Sequence, residues 1–222
     1  MAKLDLIIFD CDGVLIDSEG IALQVLCSAL KDYGVELSLA EAKERYVGRS
    51  EASEVADIKS RYNLELPPSY FEKKQRLRMK MFEDSLRPIE GIAALIDGLS
   101  FKKCVASGSS LDRLHHSLGL VGLWSKFAPH IFSATQVKHG KPAPDLFLYA
   151  AAQMGVSPSS CLVIEDSVAG VQAAKAAGMK VLGFTGGSHC DIGHGDVLCR
   201  EGAVASYAHM SDLAKNLSFA SP

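Results

Sequence analysis

Two aspartates two residues apart, Asp10 and Asp12, directly follow an apolar run near the start of the chain. The run, Leu6–Phe9, has the length of a strand that is buried on both faces. Side chains two residues apart on an extended chain leave the same face, so the two carboxylates point to one side. Ligands of open parallel sheets bind at the carboxyl ends of the strands. The stretch therefore predicts either a reactive pair of carboxylates or an ordinary Asp-Gly turn.

Polar side chains also follow the later apolar runs of the sequence. These residues are Ser107 and Gly108 after the run 103–106, Lys141 in the loop after 130–132, and Glu165 and Asp166 after 161–164. On one edge of a parallel sheet they would converge with the first two aspartates. Several carboxylates that lie together need a cation, and oxygen ligands without histidine suit Mg²⁺. A lysine and a hydroxyl facing such a cluster suit the oxygens of a phosphoryl group.

The order of the predicted elements indicates an α/β fold with a doubly wound, Rossmann-like parallel sheet. From residue 88 onward, short apolar runs alternate with helical patterns, which is typical of parallel strands joined by right-handed crossovers. Residues 17–87 have helical periodicity and many charges but no strand-like run, which predicts an inserted all-helical cap domain. The core domain is then formed by residues 1–16 and 88–222. Its last part, 186–222, is rich in glycine and predicts only a weak helix over 211–217.

Composition favours a small molecule as the partner. The 222 residues carry a net charge of -3 with both signs interspersed, so the sequence offers no electrostatic footprint for nucleic acid or an anionic membrane. No apolar run approaches the roughly 18 residues that would span a bilayer, and no signal-peptide pattern precedes Asp5. The six cysteines are scattered singly, without the spacing of a zinc site. We expect a cytoplasmic protein without disulfides; the oligomeric state is undetermined, with a monomer favoured.

Four segments together resemble the motifs of the haloacid dehalogenase-like hydrolases. They are Asp10–Val14, Ser107, Gly140–Asp145 and Ile164–Gly170, in the order and spacing of that family. Each segment alone is a weak signal, but four in order are a strong one. The resemblance covers nearly the whole chain and extends to the subfamily with a helical cap inserted after the first motif, which includes β-phosphoglucomutase and many sugar phosphatases.

The resemblance implies a role for each of the polar residues in these motifs. Asp10 is the expected nucleophile, which forms an aspartyl phosphate, and Asp12 is the expected general acid and then general base. Mg²⁺ would be held by the Asp10 carboxylate, the Asp12 backbone carbonyl and Asp166. Glu165 would act through water or support the other ligands. The residues expected to bind the phosphoryl oxygens are Ser107, Gly108 and Lys141. Arg49, in a cap loop, would either contact substrate or belong to a plain helix-capping turn.

Several residues differ from those found in related enzymes of other activities, and they make a phosphatase the preferred function. Asp12 argues against the dehalogenases and phosphonate hydrolases of the family, which lack this aspartate. Ala22 stands where β-phosphoglucomutase has a cap histidine, and Ser110 where it has a lysine, so a hexose-phosphate mutase is the second choice. A non-enzymatic signalling module that resembles a receiver domain is a remote third, because such domains are shorter and have no cap. The histidines that fit no motif are expected at the surface: His115, His116, His139, His189 and His194.

Overall fold

The computed structural model of the protein describes residues 3–48 and 51–218. The chain divides into two compact units, one formed by Met1–Asp17 and Arg87–Pro222 and the other by Ser18–Leu86. None of the helices in the described ranges is both long enough and apolar enough to cross a membrane.

The smaller unit is helical throughout the part that the structure describes, as the sequence predicts for this stretch. Its helices are α1 (Glu19–Lys31), α2 (Leu39–Tyr46), α3 (Glu51–Tyr62) and α4 (Pro68–Ser85). Helix α2 begins with a capping box: Ser38 Oγ accepts from the Glu41 N–H, and the Glu41 carboxylate accepts from the Ser38 N–H. Apolar side chains from the helices form the core of the unit, with Leu26 and Tyr70 fully or almost fully buried.

The larger unit is built on a parallel sheet that has six strands in the described residues. They are β1 (Leu6–Phe9), β2 (Lys102–Ser107), β3 (Ile131–Ser133), β4 (Cys161–Glu165), β5 (Lys180–Phe184) and β6 (Ser206–Tyr207). The strand order is β3-β2-β1-β4-β5-β6, and all five pairings are parallel. The prediction of a doubly wound α/β sheet is confirmed.

Strand β1 lies at the point where the strand order reverses. Its four residues are fully buried because they form an uninterrupted apolar run with a neighbouring strand on each edge; Phe9 pairs with Val105 of β2 and with Ile164 of β4. In doubly wound sheets the connections leave in opposite directions at this point and open a crevice beyond the strand ends. The residues that follow β1 therefore lie where such folds bind their ligands.

Seven helices of the described residues connect or follow the strands of the larger unit. They are α5 (Ile92–Gly98), α6 (Leu111–Leu120), α7 (Trp124–Phe127), α8 (Asp145–Gln153), α9 (Val168–Ala176), α10 (His194–Glu201) and α11 (Met210–Ser218). Helices α6 and α9 start shortly after β2 and β4, and each has a serine N-cap, Ser110 and Ser167. Their N-termini therefore lie near the strand ends that carry the predicted site.

The glycine-rich final segment is more regular than its sequence predicts. It contains α10, β6 and α11, of which the sequence predicts only the last. Strand β6 has two residues and pairs with β5 through Gly183 and Ser206. A strand this short carries no periodic pattern, so only its pairing with β5 defines it.

Candidate active site

Asp10 lies directly after β1, where the chain leaves the sheet. Its N–H donates to the Ile164 carbonyl at 3.0 Å, which continues the pairing with β4. Only 9% of its side chain is exposed. Burial raises the pKa of Asp10 to about 7; Lys141 opposes this rise, while Glu165 and Asp12 add to it. The ionised carboxylate therefore needs positive charge beside it.

Lys141 supplies positive charge from the loop before α8. Its Nζ donates to Asp10 Oδ1 at 2.6 Å and to Glu165 Oε1 at 2.5 Å, and lies 4.9 Å from the centroid of the Phe147 ring. Burial alone would lower the pKa of Lys141, but the charges of Asp10 and Glu165 and their hydrogen bonds raise it above its ordinary value. The ammonium stays protonated and is shared by two buried carboxylates.

Asp10, Glu165 and Asp166 form a buried acidic cluster. Each offers a carboxylate oxygen, and these oxygens lie within 4.8 Å of one another. This donor set is all oxygen, which fits a hard cation such as Mg²⁺. Both Glu165 oxygens already have donors, because Oε1 accepts from Lys141 and Oε2 accepts from the N–H and hydroxyl of Ser167 at 2.8 and 3.0 Å. Both oxygens of Glu165 are thus engaged within the protein, which suits this residue to orienting its neighbours.

Gly170, in the first turn of α9, leaves room for the Glu165 carboxylate. A Cβ on Gly170 would lie 1.8 Å from Glu165 Oε1 and 1.9 Å from its Cδ. The Glu165 side chain cannot move aside cheaply, because it is buried and holds both Lys141 and Ser167. A glycine is therefore required here by close approach, not by an unusual backbone angle.

Replacing Gly170 by alanine is expected to lower the free energy of unfolding by about 2–4 kcal/mol, because the new methyl group displaces a buried, hydrogen-bonded carboxylate. Gly119 in α6 is the matched control, since a Cβ there meets no atom within 4 Å. Its replacement by alanine should leave stability unchanged or raise it by up to about 1 kcal/mol. Urea unfolding measures both variants, and equal losses in the two would contradict the steric argument.

Asp12 is held by two donors that sequence reasoning did not assign to the site. Arg113 Nη2 donates to Asp12 Oδ1 at 2.7 Å, and Ser109 Oγ donates to Asp12 Oδ2 at 2.6 Å. Arg113 lies in the first turn of α6 and Ser109 lies just before that helix. A cation near a helix N-terminus is disfavoured by the helix dipole unless an anion lies close by. That unfavourable placement is the one sequence signal that pointed to a carboxylate partner for Arg113.

His189 lies beside the acidic cluster, so its predicted surface position is wrong. It is buried, and its Nε2 is 2.9 Å from Asp166 Oδ2. His194 is half-buried and its Nε2 donates to the Asp166 backbone carbonyl at 2.6 Å. His115 and His139 are exposed, as predicted. His189, which follows β5, and His194, the first residue of α10, therefore both contact Asp166.

The remaining predicted site residues differ in how the structure places them. Ser107 is buried at the end of β2, and its Oγ accepts from the Ser109 N–H at 3.1 Å. Gly108, the next residue, is exposed, and a Cβ there would meet nothing within 4 Å. Arg49 lies outside the described residues. The phosphate-binding role of Ser107 and Gly108 stays a prediction, as does the substrate contact of Arg49.

The fold and the site together define an α/β enzyme with a buried carboxylate at the end of its central strand, paired with a lysine and adjoining an acidic cluster. The family model described as haloacid dehalogenase-like hydrolase matches residues 4–178 of this chain. The chain belongs to that family, so the resemblance stated from its motifs is confirmed.

Known proteins similar to this chain include named phosphatases. The chain is 31% identical to 6-phosphogluconate phosphatase of Escherichia coli (strain K12), over 96% of this chain and 94% of that protein. It is 32% identical to fructose-1-phosphate phosphatase of the same organism, over 78% and 92%. A solved haloacid dehalogenase-like protein of unknown function from Agrobacterium tumefaciens str. C58 has a TM-score of 0.86 and 41% identity, over 97% and 98%. The predicted enzyme class agrees with the activities named for the two relatives.

Proposed function

We propose that the protein is a Mg²⁺-dependent phosphatase that hydrolyses a small phosphate ester through an aspartyl phosphate on Asp10. The observation that carries this proposal is the buried Asp10 carboxylate at the end of β1, hydrogen-bonded to Lys141 and adjoining Glu165 and Asp166. A carboxylate so placed can act as a nucleophile, and the lysine can neutralise phosphoryl charge. Family membership supports the proposal.

In the first half of the proposed reaction, an Asp10 oxygen attacks phosphorus and the ester oxygen leaves. Asp12 donates a proton to that oxygen, so the alcohol departs neutral. Lys141 turns its ammonium group from the two carboxylates toward a phosphoryl oxygen. Ser107 and Gly108 bind the other phosphoryl oxygens from the end of β2. Positioning and charge neutralisation supply most of the catalysis in such transfers.

In the second half, water attacks the aspartyl phosphate while Asp12 takes a proton from that water. The bond between phosphorus and Asp10 breaks, inorganic phosphate is released, and the Asp10 carboxylate is restored. The residues proposed to hold the metal are Asp10 and Asp166 through their carboxylates and Asp12 through its backbone carbonyl. Glu165 is proposed to support these ligands or to act through water. When bound there, Mg²⁺ supplies positive charge that offsets the repulsion between a carboxylate and a phosphate.

The proposed substrate is a sugar phosphate or a sugar-acid phosphate. The two relatives named above act, by their names, on one compound of each kind. The larger unit supplies chemistry for the phosphoryl group alone, so we propose that the helical unit acts as a cap and selects the leaving group. Arg49 is the proposed substrate contact within it.

The proposal predicts that the purified protein releases inorganic phosphate from a panel of esters in the presence of Mg²⁺. The panel includes 6-phosphogluconate, fructose 1-phosphate and β-glucose 1-phosphate, and free phosphate is measured colorimetrically. EDTA should stop the release and excess Mg²⁺ should restore it, because the acidic cluster needs a cation for the attack.

Three outcomes would contradict this function. Phosphate release that survives EDTA would remove the role of the metal, and no release from any ester would remove the phosphatase activity. Formation of glucose 6-phosphate from β-glucose 1-phosphate without free phosphate would favour the mutase instead. Ala22 and Ser110, where such mutases have a histidine and a lysine, make that result unexpected.

A further inference from the structure

Asp12 is held at both of its carboxylate oxygens. Arg113 donates to Oδ1 at 2.7 Å and Ser109 donates to Oδ2 at 2.6 Å, and the side chains of Asp12 and Arg113 are each only 17% exposed. Hydrogen bonds between charged groups are about twice as strong as neutral ones, and this pair is mostly shielded from water. The orientation of the Asp12 side chain is therefore fixed by its partners.

The backbone of Ser109 is itself held by two hydrogen bonds. Its N–H donates to Ser107 Oγ at 3.1 Å, and its carbonyl accepts from Ser133 Oγ at 2.6 Å. Ser107 and Ser133 are paired residues at the ends of β2 and β3, and both are buried. The residue whose hydroxyl contacts Asp12 is thus anchored to the ends of two neighbouring strands of the sheet.

The Arg113 donor is held by α6. Its N–H donates to the N-cap hydroxyl of Ser110 at 3.4 Å, so it belongs to the ordered first turn. The positive end of the helix dipole lies in this turn and disfavours a cation, and the Asp12 carboxylate compensates. Arg113 and Asp12 therefore depend on each other.

We infer that Arg113 is a positioning residue, which together with Ser109 orients the Asp12 carboxylate to accept a proton from the water that hydrolyses the aspartyl phosphate. This inference rests on the proposed function. In that step, the water oxygen bonds to phosphorus, its proton moves to Asp12, and the bond from phosphorus to Asp10 breaks.

Both half-reactions use Asp12, which donates a proton during formation of the intermediate and accepts one during its hydrolysis. A leaving group that needs no proton removes the first of these demands and keeps the second. With such a leaving group, loss of Arg113 should therefore slow hydrolysis more than formation.

The test uses p-nitrophenyl phosphate with Mg²⁺, because p-nitrophenolate leaves with little need of a proton. Formation of the intermediate on this probe is then insensitive to Asp12, and hydrolysis is not. Arg113→Ala should lower kcat by about 10- to 100-fold and lower KM along with it, so that kcat/KM for this probe stays nearly unchanged, because only the step after release of p-nitrophenolate is slowed. Rapid mixing should show a burst of p-nitrophenolate close to one equivalent per active site before the slow phase.

Further variants separate positioning from a structural role. Arg113→Lys and added guanidinium with Arg113→Ala should each restore part of kcat, because they return a cation to Asp12. Ser109→Ala should show the same kind of burst with a smaller decrease in kcat. Arg200→Ala, which removes an exposed arginine of α10, is the control and should behave as wild type. Thermal unfolding checks that each variant is folded.

Two results would overturn the inference: an unchanged kcat in folded Arg113→Ala, or a lower kcat without a burst. An unchanged kcat with a higher KM would make Arg113 a substrate contact. Failure of the proposed function is distinct, because the wild-type protein would then release no phosphate from p-nitrophenyl phosphate or from the ester panel. If Arg113→Ala alone does not fold, Arg113→Lys and Ser109→Ala decide the matter.

Discussion

Replacing Asp10 by asparagine is expected to lower the rate of phosphate release by about 10⁴-fold or more. Asparagine has almost the same shape, but its amide is a poor nucleophile toward phosphorus. The variant also loses the charge that adjoins Glu165 and Asp166. Initial rates on the best ester of the panel, with saturating Mg²⁺, measure the effect.

The same variant should fold and should have a flatter dependence of stability on pH. Burial raises the pKa of Asp10 to about 7 in the folded protein, against about 3.9 in an unfolded chain. The folded state thus binds this proton more tightly. The stability that this bound proton contributes is fully present below about pH 4 and is lost as the pH rises through about 7. In EDTA, wild type should lose more stability than Asp10→Asn between about pH 5 and pH 8.

Asp84→Asn is the matched control for charge removal, because Asp84 is exposed on α4. It should keep both the wild-type rate and the wild-type pH dependence. Urea unfolding at each pH supplies the stability measurement. A folded Asp10→Asn protein that hydrolyses esters at the wild-type rate would show that the nucleophile is another residue.

Replacing Lys141 by methionine is expected to reduce both activity and stability. Methionine keeps the length of the side chain but removes the ammonium group that contacts Asp10 and Glu165. Removing one partner of a buried ion pair leaves uncompensated charge, which costs about 3–5 kcal/mol. Loss of a cation that neutralises phosphoryl charge should lower kcat/KM by about 10²- to 10³-fold. Urea unfolding and steady-state kinetics measure the two effects.

Lys138→Met is the control, because Lys138 is an exposed lysine in the same loop. It should change neither property. The double variant Asp10→Asn with Lys141→Met should recover part of the stability lost by Lys141→Met, since one of the two stranded carboxylates is gone, while remaining inactive. Wild-type stability in Lys141→Met alone would mean that the ammonium does not compensate the buried carboxylates.

Much of the fold and of the acidic part of the site could be predicted from local patterns. The run Leu6–Phe9 is apolar throughout, so it predicts a buried strand without knowledge of its neighbours. Polar residues that directly follow such runs lie at strand ends, which are all on one edge of a parallel sheet. For this reason Asp10, Glu165 and Asp166 could be grouped before their contacts were seen.

The partners of these carboxylates were harder to predict. Arg113 is 101 residues from Asp12 along the chain, and it reaches the carboxylate because α6 starts beside the end of β2. His189 and His194 lie in a glycine-rich segment with no periodicity, so their positions follow from the contacts that the segment makes with Asp166. A long side chain in a helix or loop has no direction until its element is packed.

The sequence by itself determined the class of the fold, the aspartates that follow β1 and the oxygen-only character of the acidic cluster. These features depend on residue type and on short-range periodicity, which are local properties. The tertiary structure alone decided that β1 lies between β2 and β4, that Lys141 is shared by Asp10 and Glu165, and which donors hold Asp12. Strand order and side-chain orientation arise from contacts between distant segments, and those exist only after the chain has folded.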